Sequence, residues 1–488
     1  MPNSCLSQTV IDRAEQWATW DPNVTTARIL RLMLSQSDPS IATLFPDDES
    51  RIGFGTAGLR SEMSIGPLGM NDLVVVQTAQ GLAHYCRQQQ QQQQLVVVAS
   101  GSNTEERLKV VIGYDHRART ALNLSSISFA ILSALVFEQA GMECILLHGL
   151  VHTPLVAFST TKQKAALGIM ITASHNPKDD AGYKVYWQDG VQIRPPVDKG
   201  MAQAILANLE PWVDYKQILY QRQLYHGNKE LLGLSNKELT NQLVAEYFDA
   251  IKTSGLVTGQ AQISFGNLKP PKFAYTAMHG VGTPFAQRGF KEFGFAPFEV
   301  VPTQASPDPT FPTVVFPNPE EKGALDIAIA FAEETHCDIV FANDPDADRL
   351  ALAERDRVSK KWTVFTGDQI GTMLGHWLWL KLRSTSKKVN GLLTSFINML
   401  FLFQRSYSHL QYVFMGSLLP CVHQQCLRQC WQKLPKWKAF ILKTRSLDLS
   451  GLEQRHQLLT RNKGIEPYFA MKKPLAFVAA TLFMIKTE

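Results

Sequence analysis

The chain has 488 residues, a formal net charge of +5, 45% apolar and 19% charged residues. That length exceeds one hydrophobic core and suggests about three domains. No stretch approaches the roughly 20 apolar residues of a spanning helix, and Met1 to Asp21 lacks a basic-then-apolar leader pattern. Seven irregularly spaced cysteines suit a reducing compartment rather than a disulfide framework. A cytoplasmic protein with no membrane partner is therefore expected. The positive charge is confined to the end of the chain. Residues 389–488 hold 13 Lys+Arg against 4 Asp+Glu, and the first 388 hold 35 against 39. No nucleic-acid partner is inferred from it.

In chain order, residues 4–37 read as helices, Ala27 to Ser35 among them. Gly53 to Arg60 is a glycine-rich loop whose backbone could approach an anion, with the Arg60 guanidinium suited to phosphate oxygens. Taken alone, such a loop is more often a plain turn. Asp72 to Tyr85 predicts a helix, and the glutamine run Gln88 to Gln94 a surface loop insertion. Val110 to Asp115 predicts a buried strand running into G-Y-D-H-R-A-R, Gly113 to Arg119. Leu122 to Gln139 predicts a long apolar helix, and Gly149 to Pro154 leads on towards a serine loop.

That loop is I-T-A-S-H-N-P-K-D-D-A-G, from Ile171. The apolar run Ala165 to Ile171 enters it as a strand, and Tyr183 to Trp187 leaves it as another. A lone serine in a turn is usually only a turn former. Here His175 is adjacent, and Lys178 and Lys184 are close, a setting able to hold a dianionic phosphate on the hydroxyl oxygen of Ser174.

Val213 to Asn241 reads as a polar helical connector. Lys272 to Ala277 predicts a strand ending in M-H-G-V-G-T-P, and Gln287 to Phe293 a short helix. Asn318 to Leu325 is expected to begin a helix with acids in its first turn. Asp338 to Ala342 and Leu350 to Ala353 predict strands around N-D-P-D-A-D-R. Asp344, Asp346 and Asp348 alternate along that loop and could turn three oxygens towards one hard cation such as Mg2+. An EF-hand would need Gly and Glu where Arg349 and Arg355 stand, and a D-x-D-x-T/V phosphatase motif would not have Asp at 348.

The strings T-A-S-H-N-P, G-T-A-G-L-R and D-P-D-A-D-R, in this order of roles, resemble the α-D-phosphohexomutase superfamily. The extension D-D-A-G-Y-K-V-Y-W resembles its phosphopentomutase / phosphoglucomutase-2 branch. The resemblance covers about Arg51 to Gly375. It implies a multi-domain α/β phosphohexomutase-like architecture, with two complete mixed α/β domains, an incomplete third and no fourth. The expected divisions are 1–211 for domain I, 212–241 for the connector, 242–358 for domain II and 359–388 for the start of domain III. By the same resemblance, Ser174 carries the transferring phosphate, and its oxygen joins the three aspartates around Mg2+. Asp115, His116 and Arg117 match structural, phosphoserine-supporting positions; for Arg119 a solvated loop is equally open. Arg60 and Arg349 neighbour phosphate. His175 and Lys184 match positions that assist proton transfer, and which of them is the base is left open. The implied reaction moves phosphate between C1 and the terminal carbon of pentose, and possibly glucose, phosphates. It passes through a sugar bisphosphate, which also primes the enzyme. A glucose 1,6-bisphosphate synthase is the implied alternative.

After Lys388 the family pattern is lost, and the branch's sugar loop E-E-A-I-G is absent. Joining the third base of each codon to the first two of the next permits Y-E-E-A-I-G-F across Ala470 to Phe477. The same frame permits E-G-F-H-F-E-D-T-L-T-G-F-K-W across Trp437 to Gly451. The tail 389–488 therefore reads as an out-of-frame translation, with an unspliced intron beginning near Val389. Phe396 to Gln404 is what a pyrimidine-rich intron end would spell. Sequencing the mature transcript across the codons for Lys388 to Arg405 decides this. For the 488 residues as written, the favoured reading is a non-catalytic product that accepts Mg2+ and phosphate at Ser174, with mutase activity expected of the chain in its restored frame.

Overall fold

Ser7 accepts the amide of Val10 and opens α1 (Gln8–Trp20), and Asn23 accepts those of Thr25 and Thr26 and opens α2 (Val24–Ser35). A side-chain oxygen satisfies amides that the first turn cannot. The computed structural model describes residues 6–98, 107–222, 235–254 and 269–384. The shifted-frame reading of residues 389–488 lies outside them. After α3 (Ile41–Leu44) and β1 (Leu59–Glu62), α4 (Asp72–Val98) continues through the glutamine run. The loop insertion expected at Gln88 to Gln94 is thus corrected to helix: glutamine is a good helix former, and nothing from Cys86 to Val98 is Gly or Pro.

The first sheet is built from β2 (Lys109–Tyr114), β5 (Glu143–Leu147), β6 (Leu167–Ile171), β7 (Asp180–Trp187) and β8 (Ser235–Asn236), with β1 at its edge. Its order is β1-β7-β6-β2-β5-β8. Strands β6, β2, β5 and β8 run parallel; β7 is antiparallel to β6, and the edge strand β1 is antiparallel to β7. A small ribbon, β3 (Ala118–Arg119) and β4 (Leu124–Ser125), precedes α5 (Ser126–Gln139). That helix starts four residues later than the sequence predicts. Asn123 takes a left-handed φ of 57°, and the Ser125–Ser128 capping box sets the first turn. Strand parity then assigns the two faces. Val110 and Ile112 join the buried core with α4, α5 and α7 (Val197–Leu206), whereas a Cβ on Gly113 would meet Val156 of α6 (Thr153–Lys162). After α8 (Tyr215–Gln221), α9 (Lys237–Thr253) lies against α6, with Tyr247 edge-on to Phe158 at 5.6 Å. The strand within the expected connector therefore completes the first sheet, and the boundary drawn at 242 falls inside α9.

The second sheet comprises β9 (Phe273–Thr276), β10 (Glu299–Val300), β11 (Ile339–Ala342), β12 (Ala351–Arg355) and β13 (Trp362–Phe365), in the order β10-β9-β11-β12-β13. Phe273, Tyr275 and Phe341 face α10 (Thr283–Glu292), where Phe290 stacks on Phe341 at 5.3 Å. Ala274, Val340 and Ala342 face α11 (Asp326–Glu334). The helix expected from Asn318 begins eight residues later, because Gly323 adopts φ 84° and no right-handed helix runs through it. Residues 362–365, expected in domain III, instead form the edge of this sheet. The unit holding both sheets includes the chain to Gly375, a position within α12 (Gly367–Ser384).

Two buried carboxyls tie the N-terminal helices to α4. Asp21 and Asp72 are 1% and 4% exposed. Burial pushes Asp21 up to about 6, against opposing hydrogen bonds from Thr26 and Asn23. Burial and then the charge of Asp21 push Asp72 up to about 8. An unfolded aspartate ionises near pH 4, so unfolding releases these protons, and the pair's stability is lost as pH rises through about 6 and 8. Asp72→Asn, which cannot ionise, is expected to gain about 2–4 °C in Tm relative to the parent at pH 8 and less at pH 5. A gain that does not change between the two pH values in thermal unfolding would contradict this.

Candidate active site

The serine loop joins two neighbouring strands of opposite direction, β6 and β7, so the chain must reverse within eight residues. Ser174 makes the bend with φ 54°, and its amide donates to the Thr172 hydroxyl at 2.8 Å. A left-handed non-glycine residue costs about 1–3 kcal/mol unless its surroundings hold it. Arg117 holds it. Its guanidinium donates to the carbonyls of Ser174 (2.6 Å), Asn176 (2.8 Å), Pro177 (2.6 Å) and Asp180 (3.1 Å). The buried Asp115 carboxylate lies 3.5 Å from it, and the Phe311 ring lies beneath it at 5.2 Å.

The glycine loop lies alongside. Gly58 has φ 74°, and a Cβ there would fall 1.9 Å from the Tyr183 carbonyl oxygen. The glycine is thus required by close contact with β7, a different reason from the anion approach expected of the loop. Arg60 donates to Asn176 Oδ1 at 2.9 Å, and Asn176 donates to Asp180. Arg60 therefore reaches the serine loop but not the serine itself. Lys178 is exposed. Arg119 donates to Glu62 and to the Met63 carbonyl, so it is not a freely solvated loop residue.

The acidic loop connects β11 to β12, opposite the serine loop. Gly280 makes room for it, since a Cβ there would lie 2.3 Å from Pro345 Cα. Ala347 turns the loop with φ 51°. Asp344 Oδ1 accepts the amides of Asp348 and Arg349 at 3.2 and 3.0 Å. Its Oδ2 accepts from Ser174 Oγ at 2.6 Å and lies 3.9 Å from Arg349 Nε. Asp346 Oδ2 accepts from the Lys184 ammonium and from the Thr153 hydroxyl, the latter at 2.5 Å. Asp348 accepts from Lys184 at 3.0 Å. His175 Nδ1 stands 3.4 Å from Ser174 Oγ. Ser174, Lys184 and the three aspartates thus meet, with His175 and Arg349 at the margin. Thr153 carries no mark in the sequence: its partner is 193 positions away, and no local spacing announces it.

The electrostatics are unbalanced. One carboxylate oxygen from each of Asp344, Asp346 and Asp348 can lie within 4.8 Å of the others, and Asp344 and Asp346 are fully buried. Burial, then Asp346 and Asp348, hold the Asp344 carboxyl well above the usual range. Burial would depress the Lys184 ammonium, but Asp346 and Asp348 outweigh it and raise its pKa. One ammonium, Lys184, and the Arg349 guanidinium at the margin stand against three carboxylates. An all-oxygen donor set with excess negative charge fits a hard divalent cation. His175 is lowered to about 4, first by burial and then by Arg349 and Arg60, so it is neutral at pH 7.

Residues 98–211 match the family described as phosphoglucomutase/phosphomannomutase, alpha/beta/alpha domain I, and residues 245–357 its alpha/beta/alpha domain II. A phosphopentomutase of Pongo abelii is 39% identical over 365 residues, covering 74% of this chain and 55% of that protein. A phosphoribomutase of Saccharomyces cerevisiae is 39% identical over 391 residues, covering 77% and 57%. A glucose 1,6-bisphosphate synthase of Homo sapiens is 35% identical over 381 residues, covering 77% and 56%. The chain spans a little over half the length of the curated relatives it matches.

Proposed function

The chain belongs to the α-D-phosphohexomutase superfamily, whose domains I and II it carries, and from that premise we propose that it is a phosphosugar mutase acting on pentose phosphates through a phosphoserine at Ser174. The observation that carries this is the 2.6 Å approach of Ser174 Oγ to Asp344 in a buried cluster of three carboxylates and Lys184. The greater identity to pentose mutases than to the bisphosphate synthase supports the pentose assignment.

In the forward half-reaction a hydroxyl of the sugar monophosphate attacks the phosphorus on Ser174. The new P–O bond to the sugar forms as the bond to Ser174 Oγ breaks. The hydroxyl proton passes to a base, and the serine oxygen leaves as an alkoxide that takes a proton. In this reading Lys184, held as an ammonium by Asp346 and Asp348, supplies one, and His175, neutral at pH 7 with Nδ1 3.4 Å from Ser174 Oγ, accepts one. The sugar bisphosphate so formed reorients and returns its other phosphate to Ser174, and the same compound primes the dephosphorylated enzyme. Asp344, Asp346 and Asp348 would hold Mg2+, with Ser174 contributing a phosphate oxygen. The cation would neutralise charge on the transferring phosphoryl group. Arg60 and Arg349 orient phosphate oxygens. Among the described residues no helix is long and apolar enough to cross a membrane, and the reading includes a cytoplasmic location.

The test is turnover of ribose 1-phosphate to ribose 5-phosphate, primed with glucose 1,6-bisphosphate. Conversion is expected of the chain with its frame restored after Lys388, against a smaller rate of glucose 1,6-bisphosphate synthesis from glucose 1-phosphate and a phosphoryl donor. Synthesis without conversion would transfer the assignment to the synthase. A second reading rests on the loss of E-E-A-I-G after Lys388: the chain as written takes phosphate at Ser174 but turns over no sugar. Phosphorylation without conversion is its signature.

A further inference from the structure

The first residue of α6 grips the middle aspartate of the acidic loop twice, once at its main chain and once at its carboxylate. The Thr153 amide donates to the Asp346 carbonyl at 3.0 Å, and the Thr153 hydroxyl donates to Asp346 Oδ2 at 2.5 Å. Thr153 is fully buried. The preceding His152, 1% exposed, is packed between Phe285 of α10 at 3.9 Å and Tyr247 of α9 at 5.1 Å. Pro154 follows in the first turn. The start of α6 is therefore fixed on both sides. Lys184, from β7, donates to the same Oδ2. Two donors from domain I thus converge on one oxygen of a domain II carboxylate.

We propose that Thr153 is a positioning residue for the cation, fixing the Asp346 carboxylate so that the cation site is complete only when α6 of domain I is docked on the acidic loop of domain II. The proposal rests on the reading of Asp344, Asp346 and Asp348 as the cation ligands. A threonine hydroxyl with no positive charge orients a ligand without competing with the cation for it. Lys184 cannot do this, because its charge opposes cation entry. Partners that orient metal ligands in this way are typically worth about 10–100-fold in affinity.

The experiment titrates Mn2+ alone into the full 488-residue chain, followed by electron paramagnetic resonance of free Mn2+. Thr153→Val keeps the shape and removes the hydroxyl, Thr153→Ser keeps the hydroxyl, and Asp346→Asn tests the ligand set. Thr153→Val is expected to weaken Mn2+ binding by about 10-fold or more, with Thr153→Ser close to the parent. Circular dichroism and thermal unfolding without metal check the fold; if the valine chain does not fold, Thr153→Ala against Thr153→Ser gives the same contrast. If Asp346→Asn abolishes binding and removal of the Thr153 hydroxyl leaves it unchanged, the positioning role is overturned and the cation site stands. If the parent binds no Mn2+, or Asp346→Asn binds like the parent, the cation site itself fails and the proposal with it.

Discussion

Replacing Ser174 with alanine is expected to reduce phosphate uptake from radiolabelled glucose 1,6-bisphosphate from one label per chain to background. No neighbouring hydroxyl can stand in. Thr172 Oγ1 accepts the Ser174 amide from the start of the loop, and Thr153 Oγ1 is committed to Asp346. Among the hydroxyls of the described residues, Ser174 Oγ is the one that donates to the Asp344 carboxylate, at 2.6 Å. The stability cost should be modest by comparison. One hydrogen bond to a carboxylate is lost, about 1.5–3 kcal/mol, while Arg117 keeps its hold on the loop carbonyls. The loss of label is thus separable from unfolding by circular dichroism of the same preparation. Label retained in the alanine chain would place the phosphate elsewhere and remove the mechanism. A parent chain that takes up no label would remove it as well.

The parts of this site that periodicity and spacing disclose are local, whereas the meeting of Ser174 with Asp344, 170 positions away, is implied by the family resemblance alone. Asp344, Asp346 and Asp348 announce themselves by alternation, and the flanking apolar runs become β11 and β12. Ser174 stands between two runs that become β6 and β7. Periodicity and spacing act over a few residues, and these features are local. The couplings between distant segments leave no such mark. Thr153 to Asp346, the Asp21 and Asp72 carboxyls, and the Phe311 ring under Arg117 each join segments that only the fold brings together. The same limit explains Gly58: its need for no side chain comes from the Tyr183 carbonyl, which pairing of β1 with β7 brings beside it. The glutamine run differs: its low complexity suggests a loop, but glutamine's helix propensity prevails and α4 simply continues.

Arg117 is where fold and chemistry depend on one side chain, and its replacement should have the largest effect on stability. The guanidinium is 1% exposed and binds four carbonyls of one loop. Arg117→Met approximates its length and removes its charge. The Asp115 carboxylate, fully buried, then keeps only the Ser126 hydroxyl and the residue 117 amide as donors. Removing one partner of a buried ion pair typically costs about 3–5 kcal/mol. Here the four carbonyls lose their donor too, so the upper part of that range is expected in urea unfolding. Asp115→Asn added to Arg117→Met should recover part of the loss, because the stranded charge goes with it. The serine conformation supplies the functional half. Without the guanidinium, the left-handed φ of Ser174 rests on the Thr172 hydroxyl and the Asp344 contact, and the hydroxyl should spend less time on Asp344. Labelling of the Arg117→Met chain should therefore be slowed even under conditions where it remains folded. A loss below about 1 kcal/mol, with labelling at the parental rate, would show that the loop keeps its shape unaided and that Arg117 is only a space-filling residue.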